Sequence, residues 1–155
     1  MDSVQVTYDE HLTLLGKDIE NLIEKKTKKI LKKLGVKKQY ISLYFCSAKT
    51  IKKLNSEYRN KNTPTDVLSW SYQDDGIDVH GDSPWGELAL CLEVIEKQAE
   101  NSGWPLETEL LRLLVHGIGH LNGFDHELSE AKEEEMLRFE EELLSFIGLE
   151  GIYST

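Results

Sequence analysis

The alternation of apolar and polar positions divides the chain into short strands and amphipathic helices. VQVTY, from Val4, alternates and predicts a first strand. From Leu12 to Leu34, the residues Leu15, Ile19, Leu22, Ile23, Ile30, Leu31 and Leu34 recur at helical spacing, and Gly35 follows as a stop signal. YISLYF, from Tyr40 to Phe45, is β-branched and aromatic and predicts a second strand. Ser47 suits the N-cap of a helix over Ala48 to Arg59. A polar loop, NKNTPTD, surrounds Pro64, and VLSWSY, from Val67, predicts a third strand. The stretch DDGIDVHGDSPWG, Asp74 to Gly86, is rich in turn formers and predicts an exposed loop. ELALCL then predicts a fourth strand. Apolar spacing predicts helices at about 92–101, 105–122 and 129–147, with Pro105 at the first position of the middle one. No repeat, low-complexity tract or interdomain linker interrupts this order. The expected architecture is a single α+β domain over residues 1–155, a four-stranded mixed sheet packed by helices.

Composition narrows the class. A chain of 155 residues with 39% hydrophobic and 30% charged residues can bury one core and is globular rather than disordered. No apolar run is long enough to cross a bilayer, so no membrane role is expected. The N-terminus lacks a basic region followed by an apolar stretch, so the default location is cytoplasmic. Cys46 and Cys91 both lie in or beside strand-like runs and read as reduced, buried thiols. A net charge of -10 by itself argues against a polyanionic partner. The charge is unevenly spread, however. Lys25 to Lys38 carries eight lysines and no acid, whereas Glu127 to Glu142 carries eight acids. The lysines are either the solvated face of a helix or a basic patch for a polyanion.

The chemistry is concentrated in HGIGHLNGFDH, His116 to His126, which holds three of the five histidines. His116 and His120 stack one turn apart on a helix, close enough for both imidazoles to reach one ion at about 2.0–2.1 Å. A third ligand requires the chain to turn back, and Gly123 stands where that turn is needed, bringing His126 round. Three histidines with a fourth position open to water is the catalytic pattern for zinc. Zinc is therefore expected at His116, His120 and His126, on a central helix, although imidazole also suits nickel. The alternative is a pair of packed histidines. The apolar residues of this helix span an arc of about 160°, and both histidines fall on its flank, which argues against a centrally buried pair. Gly117 and Gly119 each cost the helix about 1 kcal/mol relative to alanine, so close approach by some neighbour is expected. His11 and His80 have no such context and read as structural or surface residues.

The spacing H-x3-H-x2-G-x2-H also belongs to metzincin peptidases. Those enzymes need a glutamate after the first histidine as general base, and here Gly117 occupies that place. Met136 lies in a predicted helix rather than in a supporting methionine turn.

HGIGHLNGFDH resembles the signature of the YbeY, or rRNA maturation factor, family. So do Asn55, Tyr58, Arg59 and Lys61 followed by Pro64-Thr65-Asp66-Val67-Leu68-Ser69, and Gly86-Glu87-Leu88-Ala89-Leu90. The resemblance runs over roughly residues 40–147 by the motifs quoted. Gly119 stands for the usual leucine, Trp70 for phenylalanine and Glu87 for aspartate. None of these removes a ligand, and Gly119 is the change expected to loosen the zinc helix.

The resemblance implies a zinc-dependent, single-strand-specific endoribonuclease. Its implied work is maturation of 16S rRNA, especially the 3′ end, and ribosome quality control. Its implied partners are single-stranded rRNA and the ribosome or its small-subunit components. It also places Arg59 as the catalytic cation, since a guanidinium can pair with phosphate through two parallel hydrogen bonds. Lys61 is a weaker candidate for a phosphate contact. Thr65 and Asp66 could equally fix their loop, and Asp125 could orient a histidine. The rival functions are a metal-dependent hydrolase of another substrate, including peptides, and a non-catalytic ribosome assembly factor stapled by zinc.

Overall fold

Each strand forms where β-branched or aromatic residues alternate, and each helix begins and ends where the sequence supplies a cap. In the computed structural model, residues 3–9, 16–72, 84–123, 129–149 and 151 are described. The order is β1 (Val4–Tyr8), α1 (Lys17–Lys33), β2 (Tyr40–Cys46), α2 (Ala48–Arg59), β3 (Val67–Ser71), β4 (Pro84–Cys91), α3 (Leu92–Ser102), α4 (Leu106–Leu121) and α5 (Glu130–Phe146). Ser47 caps α2 as expected, its hydroxyl accepting from the Thr50 N–H at 3.2 Å. Ser129 does the same for α5 through the Lys132 N–H at 3.1 Å. Gly35, at φ +76°, ends α1, and the Val36 N–H reaches back to the Leu31 carbonyl at 3.0 Å.

The sheet has the order β1-β2-β4-β3. β1, β2 and β4 are parallel, and β3 runs antiparallel along β4, from Val67 opposite Leu90 to Ser71 opposite Gly86. The expected four-stranded mixed α+β sheet is therefore present. The main core contains Ile30, Ile41, Leu43, Leu88, Leu90, Leu114 and Ile118, joining α1, α4 and α5 to one face. A smaller cluster of Cys46, Ile51, Leu68, Ala89 and Cys91 lies under α2 on the other face. Both cysteines are free and buried, as expected, and burial first, then Cys91 and Asp9, pushes the Cys46 thiol up to about 12.

Two boundaries differ from expectation. β4 starts at Pro84, so the last three residues of the expected Asp74–Gly86 loop are strand. Proline is tolerated as the first residue of a strand, and Gly86 is needed because a Cβ there would lie 2.7 Å from the Leu121 methyls. Pro105 is not the first helical residue but the N-cap of α4, at ψ 156°. His11, His80, Asp125 and His126 lie outside the described residues.

Among the described residues, no helix is long and apolar enough to cross a membrane. The lysines of α1 are mostly exposed. Lys33 lies 3.8 Å from Glu142 and over the Phe146 ring, so part of the basic face meets the acidic face of α5.

Candidate active site

The glycines in α4 decide how closely this helix approaches its neighbours. A Cβ on Gly117 would lie 2.8 Å from Leu88 Cδ2, so position 117 faces the sheet and lets α4 settle on β4. A Cβ on Gly119 would meet Met136 Cε at 3.3 Å and Phe139 at 3.6 Å, so position 119 faces α5. The close approach expected at both glycines is thus met, by the sheet at one and by α5 at the other. Met136 is a buried residue of α5, as its helical spacing indicated.

With those two positions turned to the protein, His116 and His120 fall on the remaining flank and are half-buried. Their Nε2 atoms lie 3.2 Å apart, with the rings edge to face at 89°. His116 Nδ1 is 2.9 Å from Glu140 Oε1, a carboxylate on α5 that is only 6% exposed. This contact selects the tautomer with the proton on Nδ1 and leaves the Nε2 lone pair directed towards His120. Gly123, at φ +94°, adopts the left-handed conformation expected of the turn after the helix.

Glu140 is the site residue that the sequence reading missed. It appeared only as one acid among eight. A signal existed: Met136, Glu140, Leu143, Leu144 and Ile147 follow one helical stripe, and four of those five are apolar. An acid on an apolar stripe calls for a buried partner.

Arg59 reaches the same place from the end of α2. Asn60, at φ 56°, closes the helix, and the Lys61 N–H donates to the Asn55 carbonyl at 3.3 Å. Buried Asn55 donates from Nδ2 to the Thr63 carbonyl at 2.9 Å, which holds the loop against α2. Asp66 accepts from the Val67 N–H at 2.7 Å, and its carbonyl accepts from Cys91 N–H at 2.9 Å, so Asp66 serves the loop and the start of β3. The Arg59 guanidinium donates from Nη2 to the Ser69 carbonyl at 3.0 Å.

These elements enclose a cleft of about 730 Å³ lined by Arg59, Lys61, Ser69, Ser71, His116 and His120 among others. Arg59 and the two histidines, far apart in sequence, therefore share one opening. No group of three or more His, Cys, Asp or Glu able to hold a metal occurs among the described residues. The pair that could contribute to one is His116 and His120.

Fold and cleft together define an α+β protein with an imidazole pair and a guanidinium lining one open cleft. The model of the family "Endoribonuclease YbeY" matches residues 5–148, which begins well before the motifs at Tyr40. The Endoribonuclease YbeY of Treponema denticola is 41% identical over 128 residues, 81% of this chain and 79% of that protein. That of Persephonella marina is 35% identical over 128 residues, 83% of each chain. The solution structure of TM1509 from Thermotoga maritima matches with a TM-score of 0.59 at 26% identity, covering 92% of this chain and 90% of that one. The chain belongs to the YbeY endoribonuclease family.

Proposed function

We propose that this protein is a hydrolytic endoribonuclease that cleaves single-stranded rRNA in the cytoplasm, with one zinc ion held by His116, His120 and His126. Family membership supports RNA hydrolysis and a role in rRNA processing. The observation that carries the catalytic reading is the meeting of Arg59 with the histidine pair in one cleft.

The spacing of the two described histidines supports the metal. Two ligand atoms of a tetrahedral zinc with bonds of about 2.0–2.1 Å stand about 3.3 Å apart, and the two Nε2 atoms are 3.2 Å apart. Held by His116, His120 and His126, zinc would supply a Lewis acid and a bound water with its pKa lowered towards about 7. The chain's own residues do the rest. Glu140 holds His116 in one tautomer and one orientation. Arg59 pairs with non-bridging oxygens of the scissile phosphate and offsets the charge that develops there, while its bond to Ser69 keeps the guanidinium at the mouth of the cleft. Lys61, exposed on the lining, adds a second cation for a neighbouring phosphate.

Position 117 counts against a peptidase. A metzincin base belongs there, but the Cβ direction at 117 runs into Leu88. Work on 16S rRNA 3′ ends, ribosome quality control and contact with small-subunit components belong to the same proposal.

The test is incubation of the purified protein with labelled single-stranded RNA and, separately, with casein, each with and without a chelator. Cleavage of RNA alone, abolished by chelator and restored by zinc, is expected. Casein cleavage, or RNA cleavage indifferent to chelator, refutes the proposal.

A further inference from the structure

The largest exposed aromatic surface lies beside the cleft but outside its lining. Tyr58, one residue before Arg59, is 57% exposed, the highest value among the large exposed hydrophobic residues described. It packs edge-to-face on Trp70 with ring centroids 5.5 Å apart. Tyr72, the residue after β3, is 38% exposed. Two aromatic side chains thus make a shelf: Trp70 packs against the smaller core, and Tyr58 stands outermost on it.

The position of the shelf follows from the strand period. Ser69 and Ser71 line the cleft, while Trp70 packs on the α2 side; Leu68 belongs to the α2-side cluster and also borders the cleft. Among the described residues, β3 is an edge strand, paired with β4. Arg59 bonds to the β3 backbone at Ser69, between the two sides. An RNA strand that has a phosphate at Arg59 and crosses the β3 edge would bring its next base towards the α2 side.

We infer that Tyr58, supported by Trp70, is a stacking platform for one unpaired RNA base next to the phosphate held by Arg59. This rests on the RNA substrate of the proposed function and gives its single-strand preference a physical cause. An unpaired base offers a free π-face to the Tyr58 ring, whereas a base in a duplex has both faces covered by its neighbours. Nothing in the interior requires a tyrosine so exposed. A solvated helix end would be served as well by a polar residue, and the ring partner of Tyr58 is the aromatic Trp70.

The experiment measures binding of fluorescein-labelled oligoadenylate and of a perfectly paired RNA duplex to the full chain, by anisotropy. The proteins are the wild type, Tyr58→Phe and Tyr58→Ala. Tyr58 is exposed, so both variants fold, and circular dichroism checks this. Tyr58→Ala is expected to bind oligoadenylate roughly tenfold more weakly, the scale of one lost base stack. Its affinity for the duplex is expected to stay within about twofold of wild type, and Tyr58→Phe restores single-strand affinity because the ring suffices. Unchanged oligoadenylate binding by Tyr58→Ala overturns the platform. So does an equal loss on single strand and duplex, which would make Tyr58 a general contact. A wild type that binds no RNA at all sinks the function itself, which distinguishes that failure from failure of the shelf alone.

Discussion

Glu140 gives the sharpest test of how the cleft is held. Its carboxylate is buried on α5, 2.9 Å from His116 Nδ1. A hydrogen bond to an ionised group contributes about 1.5–3 kcal/mol, against about 1 for a neutral pair. Glu140→Gln keeps an acceptor and removes the charge, so it loses about 1 kcal/mol of His116 orientation and ligand basicity. That corresponds to zinc binding weakened about fivefold. Glu140→Ala removes the partner, and loss of such an outer carboxylate typically weakens metal affinity by about 10–100-fold. The alanine removes the carboxylate together with its charge, so the loss is expected to fall on the metal, and the denaturation control reads any cost to the fold. The assay is competition for zinc with a chromophoric chelator, with thermal denaturation of the metal-free protein as control. An alanine variant binding zinc within about twofold of wild type would show that Glu140 does not orient the ligand.

Three further outcomes are expected. Arg59→Ala should retain the wild-type zinc content by elemental analysis but lose most RNA cleavage, by about 100-fold or more if it stabilises the developing charge; cleavage equal to wild type removes it from the mechanism. Gly117→Ala and Gly119→Ala should differ in sign although each gains about 1 kcal/mol of helix propensity. The first forces fully buried Leu88 to move, an overpacking cost of about 1–3 kcal/mol, so urea denaturation should find it less stable, with recovery in the double variant with Leu88→Val. The second meets the flexible end of Met136 and should be neutral or stabilising. Burial and the neighbouring Cys91 and Asp9 raise the Cys46 thiol from 9.0 to about 12, so the unfolded chain releases that proton first. Folded stability is thus fully present below pH 9 and falls as pH rises towards 12, by at most about 1.4 kcal/mol per pH unit for this thiol. The urea midpoint of Cys46→Ala should fall less steeply across that window.

The amino-acid sequence determined the elements themselves, because periodicity, caps and turn glycines act within a few residues. Ser47, Gly35 and Ser129 end or begin their helices by bonds to near neighbours. His116 and His120 share a flank because a helix turn brings residues four apart together. The motifs at Arg59 and in the histidine segment were likewise legible as local patterns. Tertiary packing alone decided the rest. Strand order β1-β2-β4-β3 puts β3 on an edge, and only then can Arg59 bond to Ser69 and enter the cleft of the histidines. Turn composition alone marks Pro84 and Gly86 as loop residues, and the packing of Leu121 of α4 against Gly86 gives that glycine its steric reason in β4. Glu140 became part of the site because α5 folds back along α4 and carries it to His116, 24 residues away in sequence. Contacts between distant residues are set by the mutual burial of whole elements, and the short-range spacing of any one element carries no record of its neighbour.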